Sequence, residues 1–259
     1  MTIRSLKLFT RGTNPSWIKK NGTPQGEYIE WRKFKNKTLQ SSKYIIDIID
    51  QELSLRKQNK ITKTKFEVNI ADARNLPLND NSVNLVITSP PYLSRVDYVK
   101  QVLGEIYVIG EQNIAWRESL RKQMMGTVKM RGDLDNPKFG DYVNSILEKI
   151  KNHTSKSSES YYYPFHRQYF IDLKKTLIEN YRVQQTNGLS YWVVQNSFYK
   201  EIEIDFNKII SEMLEEIGYS SHEVVHYNHT TNFIGKTNPN QRKWKPDKKL
   251  TEYVIKFIK

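Results

Sequence analysis

The stretch Val83-Asn84-Leu85-Val86-Ile87-Thr88-Ser89-Pro90-Pro91-Tyr92 decides the fold. Its first six residues are β-branched or apolar with one polar break, which is the pattern of a short strand buried inside a sheet. The paired prolines stop that strand abruptly. Proline fixes φ at about −65° and has no N–H, and the residue before a proline is pushed to extended geometry. The turn is therefore stiff, and its carbonyls have few local donors. In an open α/β sheet, ligands gather beyond the carboxyl ends of the strands, so this turn stands where a site is expected.

Working outward, residues 66–70 (Phe66-Glu67-Val68-Asn69-Ile70) alternate like a second strand, and 72–81 carry turn chemistry. Further upstream, Ser41-Ser42 is placed to cap a helix over 43–58, with Tyr44, Ile45, Ile48, Ile49 and Leu53 on one face. Downstream, 99–111 and 169–181 have helical periodicity, Asn187-Gly188 reads as a stop, and 189–194 reads as a strand. Residues 206–217 form an amphipathic helix closed by Gly218, and 222–227 with 252–258 make a final pair of strands. The polar run 151–160 reads as a mobile loop. Helices alternating with β-branched strands predict an α/β fold built on an open sheet. The loops at Ala71-Asp72-Ala73, at 89–92 and at Gln195-Asn196-Ser197 are expected to share one crevice.

At 259 residues with 37% hydrophobic and 12% aromatic side chains, the chain can bury a sizeable core, which excludes a disordered or fibrous protein. The absence of cysteine excludes a disulfide framework, a thiolate metal site and a cysteine nucleophile. The first twenty residues carry Arg4, Lys7 and Arg11 without an unbroken apolar stretch, and no run approaches a membrane span, so a cytoplasmic location is expected. The 41 Lys and Arg outnumber the 28 Asp and Glu, giving +13, and residues 1–66 hold 15 of the basic side chains against 5 acidic ones. Such a surface attracts polyanions, nucleic acid first among them. A solvated lysine-rich face fits the same charge, so a chemical motif must decide.

That motif is Ser89-Pro90-Pro91-Tyr92. The Ser89 hydroxyl and the Pro90 carbonyl can accept hydrogen bonds from one amino group while the Tyr92 ring offers a flat stacking surface. The exocyclic amine of cytosine or adenine is a poor nucleophile, because its lone pair is delocalised into the ring. Two acceptors in tetrahedral directions favour the pyramidal nitrogen that attacks a methyl donor. The motif resembles the catalytic block of the amino-methyltransferases of DNA, and the Ser form resembles the cytosine-N4 class. Further blocks carry the same resemblance: 71–77 (Ala71 to Pro77) before the strand, 92–98 after it, 120–127, and 192–197. It covers the chain from about residue 66 to its end.

The resemblance implies a Rossmann-like, S-adenosylmethionine-dependent methyltransferase sheet. In it Ser89, Pro90, Pro91 and Tyr92 are catalytic, and Asp72, Ala73 and Ser89 lie beside the cofactor. A base flipped out of double-stranded DNA would stack on Tyr92. Residues 1–65 become a basic N-terminal segment for partner or DNA contact, and 66–259 a catalytic domain with a helical insertion at about 112–165. Arg32, Lys33, Arg121, Lys122, Arg242, Lys243 and Lys245 are the candidate DNA contacts. Asp72 also fits a plain turn residue. The transfer needs neither a metal nor a covalent adduct with the base.

The family also has a Gly-x-Gly loop after its first strand, where the backbone closely approaches the cofactor. None of the 11 glycines here forms that pair. The expectation is a split enzyme, in which a second methyltransferase subunit supplies the Gly-rich loop and the first strands of an incomplete sheet. A degenerate loop at Arg11-Gly12-Thr13-Asn14 and a non-catalytic DNA-binding subunit remain open, as do adenine-N6 and RNA base-amine transfer. Two other signals compete. His222-Glu223-Val224-Val225-His226 matches HExxH, but its β-branched centre favours a strand, where positions four apart are about 13 Å from one another and cannot share a metal. The run from Tyr161 to Arg167 is aromatic and basic, suited either to base stacking or to a core.

Overall fold

The computed structural model describes residues 24–58, 67–94, 96–102, 106, 114–132, 137–228 and 251–259. The chain divides into two compact units, one formed by Met1–Asn69 with Asp97–Arg121 and the other by Ile70–Val96 with Lys122–Lys259.

The first unit is helical. Helix α1 (Pro24–Gln58) is 35 residues long, and no Gly or Pro interrupts it after Gly26. Ser41-Ser42 therefore lies inside the helix rather than at its start. The Ser42 hydroxyl donates back to the Thr38 carbonyl at 2.8 Å, the usual refuge of a serine within a helix. Two shorter helices follow, α2 (Tyr98–Gln101) and α3 (Ile114–Gln123). Most of the expected helix over 99–111 lies outside the described residues.

The second unit carries the sheet. Its elements are β1 (Val83–Thr88), α4 (Asp141–Lys151), a π-helical turn (Ser158–Tyr162), α5 (Tyr163–Val183), β2 (Gln184–Gln195), β3 (Ser197–Tyr199), β4 (Ile202–Ile204), α6 (Phe206–Ile217), β5 (Ser221–Asn228) and β6 (Thr251–Ile258). Strand order is β1-β2-β6-β5, with β1 parallel to β2 and the other pairs antiparallel; β3 and β4 form a separate hairpin. The architecture is mixed α/β, as the alternation of elements predicts.

Helix α6 shows local chemistry fixing its own ends. Asp205 accepts from the backbone N–H groups of Asn207 and Lys208, and Gly218 closes the helix at φ 99°, a left-handed conformation that a Cβ would disfavour. Its Ile209, Ile210, Met213 and Leu214 join Phe170, Leu173 and Leu177 of α5 and Trp192, Val194, Ile255 and Phe257 of the sheet in one core. Helix α5 is buried nearly all round, which explains why its apolar pattern extends beyond a single stripe.

Three further expectations need correction. Residues 67–70 form no strand, and Val68 and Ile70 stand 87% and 104% exposed; alternation gives a strand only where a neighbour offers a ladder. The run 151–160 is ordered: the Ser158 side chain is buried and its hydroxyl meets Tyr199 Oη at 2.6 Å, so the polar residues of this segment satisfy one another. Strand β2 starts at Gln184, five residues before the expected Leu189, and passes through Asn187 at φ 62° in place of a stop. HExxH lies on β5, with His222 opposite Phe257 and His226 opposite Tyr253. Among the described residues no helix is long and apolar enough to cross a membrane.

Candidate functional site

The site grows from the carboxyl end of β1. Pro90 is buried, Pro91 and Tyr92 are half-buried and Ser89 is exposed. Four hydrogen bonds to distant parts of the sequence hold this turn. Ser89 Oγ donates to the Val193 carbonyl at 3.1 Å, and Tyr169 Oη donates to the Pro91 carbonyl at 2.5 Å. Tyr92 Oη donates to Glu252 Oε1 at 3.0 Å, and Ser197 Oγ donates to the Leu93 carbonyl at 2.7 Å. A double-proline segment cannot join a ladder through its own N–H groups, so side chains take over that task.

A hydroxyl has one proton. Ser89 gives it to a carbonyl, so its oxygen has only lone pairs left to offer. Among the described residues no donor meets the Pro90 carbonyl.

Asn196 organises the far wall. It is buried, its Oδ1 accepts from Thr251 N at 2.9 Å, and its Nδ2 donates to Glu203 Oε1 at 3.0 Å, tying the end of β2 to β6 and the β3–β4 hairpin. Next to it, Ser197 reaches Leu93 directly after the proline turn. The third loop joins through α5. Asp72 accepts from Arg74 N and Nε at 2.9 Å and from Nη2 at 2.7 Å, and Arg74 Nη2 also reaches the Gln123 carbonyl at 2.5 Å. Near that carbonyl, Gly126 sits at φ 72°. A Cβ there would come within 3.5 Å of Pro91 Cβ and 3.8 Å of the Tyr169 ring, so this turn both needs glycine's backbone and closes on the proline bend.

Helix α5 is the common anchor. Asp172, 2% exposed, accepts from Arg74 Nη1 and from Arg131 Nη2, each at 2.7 Å. Glu179 accepts from Leu76 N at 2.7 Å and from Arg182, which also binds the Leu76 and Leu78 carbonyls. Sequence reasoning missed Tyr169, Asp172 and Glu179. Their one local signal is the presence of polar side chains at positions where α5 is otherwise apolar.

These ion pairs make stability acid-sensitive. Hydrogen bonds from Arg74 hold the Asp72 carboxyl below its ordinary 3.8, and those from Arg182 hold Glu179 below 4.5. A carboxyl lowered by folding contributes stability that is present above its unfolded pKa and lost as pH falls through the folded value. The melting temperature is therefore expected to stay level from neutral pH to about 5 and to fall below about 4. Glu179→Gln should flatten that fall, and a melting curve indifferent to acid down to about pH 3 would remove both carboxyls from the stability argument.

The remaining candidates divide. Ala73 lies in the exposed Asp72 turn. Arg32, Lys33 and Lys122 are exposed, whereas Arg121 is 12% exposed and pairs with Asp97 and Glu118 at 2.5 Å, a structural role that the count of basic residues could not reveal. Arg242, Lys243, Lys245 and the Arg11 to Asn14 loop lie outside the described residues. In the aromatic-basic run, Phe165 and His166 enter the core. Tyr163 and Arg167 instead line a groove of about 520 Å³ with Lys138 and Phe139. Among the described residues no cluster of His, Asp and Glu is suited to a metal ion.

No protein-family model matches the chain. In a solved DNA modification methylase from Thermus thermophilus, complexed with S-adenosyl-L-methionine, the comparison covers 73% of this chain and 54% of that one, with 15% identity and a TM-score of 0.36. Among curated proteins, the Type II methyltransferase M.MvaI of Kocuria varians is 27% identical over 159 residues, which cover 57% of this chain and 33% of that protein. M.AvaI of Nostoc sp. is 24% identical over 169 residues (54% and 31%), and M.BsoBI of Geobacillus stearothermophilus 36% over 70 residues (27% and 13%). The chain spans about a third of the length of M.MvaI and M.AvaI. By sequence, these relatives are Type II methyltransferases.

Proposed function

We propose that this chain is the base-binding subunit of a site-specific DNA methyltransferase of a restriction-modification system. It acts on the exocyclic N4 amine of a cytosine flipped out of duplex DNA, and S-adenosylmethionine, when bound, supplies the electrophilic methyl group. The carrying observation is the acceptor pair: Ser89 Oγ with its proton committed to Val193, beside the Pro90 carbonyl. An amino group donates two hydrogen bonds, and a keto oxygen donates none, so the pair selects an amine. The same contacts turn the nitrogen lone pair out of the ring plane, and they strengthen as positive charge develops on that nitrogen. The Tyr92 ring, held through its hydroxyl by Glu252, supports the base from one side.

Among the described residues, the groups around the Ser89 turn suit the acceptor half of the reaction. Both Asp72 oxygens are engaged by Arg74, and the sequence has no Gly-x-Gly loop to admit a cofactor backbone-close. We assign the donor site to a second methyltransferase subunit that carries that loop. The test is nucleoside mass spectrometry of DNA from a methylation-free host making this chain together with the cofactor-binding subunit. N4-methylcytosine is the expected product. N6-methyladenine would move the assignment to adenine, and unmodified DNA would contradict the enzyme reading. Calorimetric titration of this chain alone with S-adenosylmethionine should show weak binding or none, and tight binding would contradict the split.

A further inference from the structure

Tyr169 reaches the proline turn from helix α5. It is buried, and its ring stands edge-on to Phe170 at 6.0 Å and to Phe206 at 5.8 Å between centroids. Rings packed in this way keep their rotamers, so the core aims the hydroxyl. That hydroxyl donates to the Pro91 carbonyl at 2.5 Å. On another side the turn at Gly126 approaches so closely that a Cβ there would lie 3.5 Å from Pro91 Cβ. Pro91 is thus held at its carbonyl and packed at its ring.

The consequence falls on the residue before it. A peptide unit is planar, so the Pro90 carbonyl oxygen lies in one plane with the Pro91 nitrogen and the two ring carbons attached to it. The ring fixes φ of Pro91 at about −65°, which sets that plane at a constant angle to the Pro91 Cα–C bond. Only ψ of Pro91 then separates the carbonyl that Tyr169 holds from the carbonyl assigned to the amine. Any other residue at 91 would leave two soft torsions there. On the near side, Ser89 Oγ is tied to the Val193 carbonyl of β2 at 3.1 Å. The acceptor pair therefore spans two anchors, one on the sheet and one on α5.

We propose that Tyr169 is a positioning residue of the base-binding turn: its hydroxyl sets the direction of the Pro90 carbonyl relative to Ser89 Oγ, and with it the preference of the turn for a base that bears an amino group. The proposal rests on the acceptor reading of Ser89 and Pro90 given above and adds the group that aims the pair. Tyr169 touches neither base nor cofactor in this role. It acts through one torsion, and by engaging the Pro91 carbonyl it leaves that of Pro90 as the acceptor. Two acceptors discriminate for an amine only when both meet its hydrogens at once, because a hydrogen bond weakens steeply as its angle departs from linear.

The test compares the equilibrium affinity of the active assembly for two duplexes that differ at the target position, one carrying cytosine and the other 2-pyrimidinone, the same ring without the amino group. Both bases stand opposite an abasic site, so that neither has a pair to break, and S-adenosylhomocysteine replaces the methyl donor so that nothing turns over. The unsubstituted enzyme should prefer cytosine about tenfold, the effect of two ordinary hydrogen bonds. Tyr169→Phe, which keeps the ring and loses the hydroxyl, should bring that preference below about threefold. Tyr219→Phe is the control. It removes the same atom from the core near Gln184, at the start of β2, where the hydroxyl accepts from Asn180 Nδ2 at 2.8 Å. A less stable fold weakens binding of both duplexes alike, so Tyr219→Phe should leave the ratio at its parent value. An unchanged ratio in Tyr169→Phe, or an equal loss in Tyr219→Phe, would overturn the proposal alone. No preference for cytosine in the unsubstituted enzyme would overturn the acceptor reading itself, and the proposal with it.

Discussion

Asp172→Ala is expected to destabilise the folded chain by about 3 kcal/mol, read as a fall in the urea midpoint at neutral pH. The buried carboxylate lies between Arg74 and Arg131, and removing it leaves two guanidinium groups, 14% and 22% exposed, facing each other without the anion. Breaking such a pair from one side costs more than the pair contributes, because the remaining charges stay desolvated. The upper end of that range is not expected, since Arg74 keeps Asp72 as a partner. Asp172→Asn preserves shape and one acceptor and should lose roughly half as much. The loss is also local. Amide exchange should accelerate in the 72–76 and 124–131 segments before the rest of the unit, and a midpoint shift below about 0.5 kcal/mol would show that α5 does not anchor those loops.

Ser89→Ala is expected to lower kcat for methyl transfer about a hundredfold in the assembled enzyme while leaving the KM for DNA nearly unchanged. On the proposed function the hydroxyl acts most where charge builds on the amine, so its loss would be felt in the transition state. Tyr92→Ala should act differently. Removing a stacking platform worth about 1–3 kcal/mol per base raises the KM for DNA and lowers the population of the flipped base. Ser89 is exposed and its hydrogen bond to Val193 is a single contact at the crest of the sheet, so Ser89→Ala should melt with the parent chain. A variant that loses stability and kcat together would mean that Ser89 fastens β1 to β2 and does no more.

The parts of this molecule that were legible in the sequence are those whose cause is local. Asp205 and Gly218 cap α6 with their own backbone neighbours, and the β-branched runs of β1, β5 and β6 need only a partner strand to form. The turn at Ser89 was legible because two prolines restrict the chain whatever surrounds them. The contacts that hold it were not. Tyr169 reaches Pro91 across 78 positions and Arg74 reaches Asp172 across 98, and no window of sequence contains both partners. Residues 67–70 misled for the complementary reason: alternating apolar side chains predict a strand, yet they remain exposed where no neighbour completes a ladder. The 151–160 segment misled because its serines and His153 look like solvated loop residues. In the fold they satisfy one another and Tyr199, with Ser155 Oγ at 2.7 Å from Tyr199 Oη.

The most direct measurement is a structure of the assembled enzyme on duplex DNA with a non-reactive analogue of the cofactor. The expected result is a cytosine turned out of the helix, its amino nitrogen within about 2.7–3.1 Å of both Ser89 Oγ and the Pro90 carbonyl oxygen, and its ring against Tyr92. A target base left stacked in the duplex, or an extruded base whose amine is held by other groups, would contradict it.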